Sequence, residues 1–147
     1  MFAAKLGLLV FWTLWFGVTS ATNLGCALKV LKMLPRAWKF ASDNYRAVAG
    51  AVSTYNSTQR FAPALFFAVI LWQVAGLFLF ARASALTWSG GMIAYAASGA
   101  AFASGCALWA AFMLADEIFL QYERQALHAM LFIAQLASYI ALYTLPD

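Results

Sequence analysis

ADEIFLQYERQALH, residues 115 to 128, is a polar run between two hydrophobic segments. It holds three of the five acidic residues of the chain, one arginine and the only histidine: Asp116, Glu117, Glu123, Arg124 and His128. Charged side chains are costly inside a bilayer, so such a run between two apolar segments is typical of a hairpin at the membrane surface. The alternative is a functional site near the edge of the bilayer.

The composition predicts a membrane protein. Of the 147 residues, 65% are hydrophobic and 10% are charged, whereas soluble domains carry roughly 25% charged residues. Aromatic residues make up 17% of the chain and include six tryptophans, which favour the boundary between lipid and water. The length leaves room for one compact bundle and for no separate soluble domain.

Four apolar segments have the length of a membrane span, which needs about 20 residues. They cover residues 2–22, 61–82, 92–115 and 126–145. The second is the clearest, because no charged residue lies between Arg60 and Arg82. The first resembles a signal peptide in part, since Lys5 precedes its apolar core. Its length favours a span. We therefore predict an all-α, integral membrane four-helix bundle that forms a single domain, with a short turn over residues 83–91.

The loop between the first two spans is strongly basic. Residues 26–60 hold six lysines or arginines and one acid, Asp43, which gives a net charge of +5. Apolar positions in this loop alternate spacings of three and four, as in an amphipathic helix, and Pro35 favours a helix that starts there. We predict an amphipathic helix over about 35–55 that lies on the membrane surface. The basic residues of the loop and this helix would contact anionic lipid headgroups: Lys29, Lys32, Arg36, Lys39 and Arg46.

A docking surface for an acidic partner subunit is the alternative interpretation of this loop. Nucleic acid is not predicted as a partner, because the charges form no recognisable reader motif.

Four spans place the basic loop and the polar run at the same side of the membrane, and both termini at the other. The positive-inside rule then puts the loop and the 116–125 hairpin in the cytoplasm or its organellar equivalent. Since the hairpin has a net charge of −2, we expect an electrostatic clasp between it and the loop.

Small residues recur at every fourth position of the third span. One set is Gly99, Ala103, Ala107 and Ala111, and the other is Ala97, Ala101 and Gly105. Small residues at this spacing let helix backbones approach closely in lipid. We therefore predict that this span lies at the centre of the bundle or offers a face to another subunit.

The polar run also raises the question of chemistry. On one continuous helix, Glu117, Gln121, Arg124 and His128 would share a face. Glu117, Tyr122, Glu123 and His128 would offer groups for a proton path or a metal site. One histidine cannot provide two axial haem ligands, and the spacing of Glu123 and His128 does not match the Glu-x-x-His motif of di-iron bundles. No phosphate-binding loop or nucleophile–base pair is present. We predict no catalytic residue, cofactor or metal.

Three short pieces of sequence suggest a relationship: Thr22-Asn23 after the first span, residues 107–114 in the third, and Leu145-Pro146-Asp147 at the end. In these pieces and in its layout the chain resembles a family of small predicted bacterial four-span integral membrane proteins of unknown function. The resemblance implies four spans and a long first loop. It implies no activity, because that family has none assigned.

These observations favour a non-catalytic accessory subunit of a larger membrane complex, for example an energy-transducing or oxidising one. Its partners would be other membrane subunits and anionic lipids. The alternative is a small homo-oligomeric transporter or channel that uses Glu117, Arg124 and His128. The few polar residues in spans one, two and four count against a pore: Thr13, Gln73, Gln135 and Ser138. A third possibility, a quinone- or lipid-binding subunit, requires His128 or Tyr122 to face a cleft.

Overall fold

The computed structural model describes residues 1–55 and 61–146. Within these residues the chain forms five α-helices and no strand: α1 (Phe2–Val30), α2 (Asn44–Ser53), α3 (Phe61–Gly90), α4 (Tyr95–Ile118) and α5 (Tyr122–Thr144). The helices α1, α3, α4 and α5 are long and apolar enough to cross a membrane, with mean hydropathies of 1.5 to 2.3. The predicted all-α four-helix bundle is confirmed. Arg60 and Asp147, quoted above, lie outside the described residues.

The four long helices are arranged in a ring. α1 packs mainly on α3, α3 on α4 and α4 on α5, while α5 touches α1 only lightly. Tyr55, just after α2, donates a hydrogen bond to the carbonyl oxygen of Ile118 at the end of α4 (2.5 Å). The connection from α1 to α3 and the α4–α5 turn therefore lie at one end of the bundle, which we call the loop end. At the other end, Lys5 donates to the hydroxyl of Tyr95 (3.1 Å).

Aromatic rings fill the middle of the bundle. Phe16 of α1 stacks on Phe80 of α3 with ring centroids 5.5 Å apart, and Phe80 meets Phe102 of α4 edge to face at 5.0 Å. Gly76 makes room for this arrangement, because a Cβ at that position would lie 2.9 Å from the Phe16 ring. The sequence feature that brings α1 and α3 together is therefore a glycine opposite a phenylalanine.

The two sets of small residues on α4 have different surroundings. Ala97, Ala101 and Gly105 are buried and face the bundle. In the other set, Ala103 and Ala107 are exposed, while Gly99 and Ala111 are half-buried. α4 is also the most buried span, with 39% of its most apolar stretch buried. The close contacts inside the bundle thus come from the second set, and in the first set only Ala103 and Ala107 face outward.

Two spans are longer than predicted. α1 continues to Val30 instead of ending near residue 22, and α3 continues to Gly90, so most of the predicted turn over 83–91 is helical. Polar residues such as Ser84 and Thr87 do not stop a helix when nothing else breaks it. α3 ends where Gly91 adopts a left-handed conformation (φ +63°), which glycine tolerates at no steric cost.

The loop helix is shorter than predicted. α2 covers Asn44–Ser53, and residues 31–43 form turns instead of a helix that starts at Pro35. Lys32 adopts a left-handed conformation (φ 60°), which ends α1. The backbone N–H of Ser42 then donates to the carbonyl of Thr22 (3.0 Å), so the loop folds back along α1. Tertiary contact to α1 replaces the predicted first turns of a surface helix.

This change redistributes the predicted basic face. Only Arg46 lies on α2, while Lys29 is in the last turn of α1 and donates to the carbonyl of Trp38 (2.7 Å). Lys32, Arg36 and Lys39 are exposed in the loop. The basic residues therefore remain together at the loop end, but they do not form one helix face.

Candidate functional site

The polar run contains one buried ionisable pair. Asp116 Oδ2 of α4 and His128 Nδ1 of α5 lie 2.5 Å apart. The Asp116 residue is 6% exposed, and the His128 side chain is 19% exposed. The His128 ring lies 4.9 Å from the ring of Phe112 and 6.5 Å from that of Trp109, centroid to centroid. The carboxylate and the two aromatic rings together orient the imidazole.

A tight reversal brings the pair together. α4 ends at Ile118, and the N–H of Gln121 donates to the carbonyl of Asp116 (2.7 Å). Leu120, in the turn, adopts a left-handed conformation (φ 56°). Because α5 starts at Tyr122, residues 115–128 form a hairpin and not one helix, so the common face that a continuous helix would give does not form. The sequence contained both members of the pair, but only the reversal places them opposite each other.

The remaining residues of the polar run lie at the surface. Glu117 accepts a hydrogen bond from Gln125 (3.2 Å). Tyr122, Glu123 and Arg124 are exposed at the start of α5. Among residues 1–55 and 61–146, the only ion pair within 4 Å that involves a hairpin acid is the one between Asp116 and His128.

The predicted electrostatic clasp is therefore absent from the described residues. The basic loop and the hairpin do meet, but through neutral hydrogen bonds. Thr54 donates to the carbonyl of Phe119 (3.4 Å), and Tyr55 donates to that of Ile118. The residues that contact the hairpin follow α2, whereas Lys32, Arg36 and Lys39 lie in the loop before α2.

A second polar cluster surrounds Asn23, which is 1% exposed in α1. Its Nδ2 donates to Gln73 Oε1 of α3 (2.7 Å). Its Oδ1 accepts from Ser42 Oγ (2.6 Å) and from Asn44 Nδ2 (2.8 Å). A buried amide must find partners, so this residue holds α1, α3 and the start of α2 together. The pairing of Asn23 with Gln73 was not predicted from the sequence. The signal available for it was the presence of two amide side chains in apolar spans.

The two polar clusters border one cavity of about 780 Å³. All five helices line it. The polar lining residues near the loop end include Thr22, Asn23, Asp43, Asn44, Arg46, Gln73, Asp116, Gln121, Arg124 and His128. Its deeper walls include Trp15, Leu108 and Leu131. Its volume falls within the range of about 300–1,000 Å³ that is typical of small-molecule sites.

No family model, curated protein or solved structure matches this chain. The charged lining is balanced, with Asp43 and Asp116 against Arg46 and Arg124. In the described part of the chain, no group of three or more His, Cys, Asp or Glu side chains could hold a metal ion.

Several buried polar atoms have no hydrogen-bond partner among the described residues. They are the indole nitrogens of Trp12, Trp15 and Trp109, the hydroxyl of Ser20 and both amide atoms of Gln135. Trp15 and Trp109 line the cavity, whereas Gln135 lies against Gly105 deeper in the bundle. Buried indole N–H groups usually have a hydrogen-bond partner, so the two that line the cavity are unusual in having none among the described residues.

Proposed function

We propose that this protein is a non-catalytic accessory subunit of a larger membrane complex, for example an energy-transducing or oxidising one. The observation that supports this most is the outer surface of α4. Between residues 96 and 107 its exposed side chains are all alanine: Ala96, Ala100, Ala103 and Ala107. At 1.5 Å per residue this alanine face is about 16 Å long.

The alanine face differs from the surface of the neighbouring spans. The large apolar side chains exposed there include Phe67, Leu71 and Phe78 on α3, and Met130, Ile133 and Ile140 on α5. Bulky side chains suit contact with lipid, whereas a row of small ones lets the backbone of another helix approach closely. The alanine face therefore suits a helix of another subunit better than it suits lipid.

The first test is purification from the native membrane in mild detergent. An accessory subunit is expected to co-migrate with other chains in fixed stoichiometry. Migration of the protein alone, or as a homo-oligomer, contradicts the proposal.

Cross-linking locates the contact. In a background with Cys26 and Cys106 replaced by alanine, Ala103→Cys is expected to form a short thiol cross-link to a different chain. Ile133→Cys, which is exposed on α5 outside the alanine face, is the matched control and is expected to give little product. Cross-links from Ala103→Cys only to a second copy of this chain would favour the homo-oligomer instead.

The homo-oligomeric transporter or channel has less geometric support. Its proposed polar face is split between α4 and α5, because Glu117 precedes the turn while Arg124 and His128 follow it. Thr13 donates to the Leu9 carbonyl of its own helix (2.8 Å), and its hydroxyl lies 3.1 Å from that of Ser84 on α3. The other mid-span polar residues contact neighbouring helices or their own backbone: Gln73, Gln135 and Ser138.

In this proposal the protein lies in the bacterial inner membrane with its loop end in the cytoplasm. The support is the basic loop, whose Lys32, Arg36 and Lys39 are exposed and suited to anionic headgroups. In the cysteine-free background, Arg36→Cys should react with a membrane-impermeant thiol reagent in inverted vesicles and stay unlabelled in intact cells. Labelling in intact cells would reverse the orientation.

A further inference from the structure

The cavity at the loop end has the features of a ligand site. We propose that it binds a neutral amphipathic molecule of the quinone or quinol class, with a flat ring that carries carbonyl or hydroxyl oxygens and an apolar tail. This inference is independent of the accessory-subunit proposal, because it concerns a cavity formed within one chain.

His128 provides the polar contact. Asp116 occupies its Nδ1, so when Nδ1 carries the proton, Nε2 presents a lone pair. Nε2 has no hydrogen-bond partner among the described residues, and the His128 side chain lines the cavity. A ligand hydroxyl can donate to Nε2. The adjacent rings of Phe112 and Trp109 offer flat surfaces beside that position.

The charges around the cavity favour a neutral head. Asp43 and Asp116 offset Arg46 and Arg124, and Asp116 is already engaged by His128. A phosphate group is normally held by an excess of basic donors, often bidentate arginines. The balanced lining lacks such an excess, so a ring with uncharged oxygens fits better than a phospholipid headgroup.

The depth of the cavity suits an apolar tail. Along α1 the lining runs from Asn23 down to Trp15, and along α4 from Asp116 down to Leu108. Each distance is about 12 Å at 1.5 Å per residue. The lower part is mainly apolar; its polar groups include the hydroxyl of Thr19, which is bonded within α1, and the indole N–H groups of Trp15 and Trp109, which have no partner in the described structure. A carbonyl oxygen that reaches either donor would supply the hydrogen bond it lacks.

The single histidine makes a direct test possible. The full-length protein, freed of any histidine tag, is labelled with ¹⁵N-histidine and placed in phosphatidylcholine nanodiscs, so that His128 gives the only imidazole signals. Titration with a short-tailed benzoquinol is expected to shift these signals in a saturable manner. An alkane with the same tail is expected to leave them unchanged.

Two cavity-filling variants locate the binding. Ala111→Trp and Ala47→Trp place a large ring in the lining from α4 and from α2, and each is expected to weaken binding about tenfold or more, which is ~1.4 kcal/mol. Glu123→Gln, exposed outside the cavity, is the matched control and should bind as the unmodified protein does. Because the two substitutions lie on different helices, the test remains valid if one of the variants does not fold.

Three results would overturn the inference. The first is no saturable shift with the quinol, and the second is an equal shift with the alkane. The third is unchanged binding in both well-folded tryptophan variants, which would place the ligand elsewhere. A signal that responds to phosphatidylglycerol and is not reversed by the quinol would assign the cavity to a lipid and reject the quinol.

Discussion

Gln135 of α5 lies against Gly105 of α4 in the interior of the bundle, where a Cβ at residue 105 would overlap the amide group. Gln135 is fully buried, and neither of its amide atoms has a hydrogen-bond partner in the part of the chain that the structure describes. The glycine therefore allows the two helices to approach, while the amide next to it is left unsatisfied.

Replacing this amide should stabilise the protein. Gln135→Met keeps the length of the side chain and removes two buried polar atoms without partners, whose burial typically costs about 1–3 kcal/mol. We expect the free energy of unfolding in mixed detergent to rise by about 1 kcal/mol or more. A fall would mean that the amide makes a stabilising contact, for example with another subunit in the native membrane.

Gly76 tests the α1–α3 contact. A Cβ at this position would meet the Phe16 ring, so Gly76→Ala should lower the free energy of unfolding by about 1–3 kcal/mol through overpacking. Gly7→Ala in α1 is the matched control, because nothing lies within 4 Å of its Cβ position. The control should be neutral or slightly stabilising, since alanine favours helix over glycine. A change in the free energy of unfolding for Gly76→Ala that is as small as the control's would show that the Phe16 ring moves aside easily.

Asn23 tests how the loop is held. Asn23→Leu removes the partner of Gln73 and releases Ser42 and Asn44. We expect a loss of about 1–3 kcal/mol from the buried glutamine alone and faster protease cleavage in residues 31–43. Adding Gln73→Leu should restore most of the stability but not the resistance to protease, because the loop contacts stay broken. Full recovery of both properties would contradict a role for Asn23 in holding the loop.

Asp116 and His128 can be tested as a pair. Asp116→Asn keeps the shape and one oxygen acceptor but removes the charge, and Asp116→Ala removes the acceptor. In a double-mutant cycle with His128→Ala, we expect an interaction energy of about 1–3 kcal/mol, typical of a charge-assisted hydrogen bond. The cycle is measured by unfolding in detergent, with Glu117→Ala as the control because that acid is exposed and does not contact His128. An interaction energy near zero would show that the aromatic rings alone orient the histidine.

Sequence reasoning predicted the four spans well because an apolar run of sufficient length has few other folds available in a membrane. It was less successful at the ends of helices. α1 and α3 continue beyond their apolar stretches, since hydropathy marks where lipid begins and ends but not where a helix stops. The loop helix was predicted too long because the residues before α2 share its apolar periodicity. These residues are not helical and fold back on α1 through Ser42.

The candidate site was predicted in part. The polar run was identified as the important stretch, and both Asp116 and His128 were among its residues. Their pairing was missed because it depends on a turn at residues 119–121 that contains neither glycine nor proline. The cavity could not be predicted at all, since it is formed by residues from all five helices.

The sequence by itself determined that this chain is a bundle of four apolar helices with its basic loop and its polar hairpin at the same end. Those properties follow from composition and from the order of segments, which a membrane environment leaves little freedom to vary. Only the tertiary structure decided that Asn23 reaches Gln73, that Asp116 engages His128, and that a cavity separates the two pairs. The reason is that side-chain partners between helices depend on helix rotation and turn geometry, which local sequence patterns do not specify.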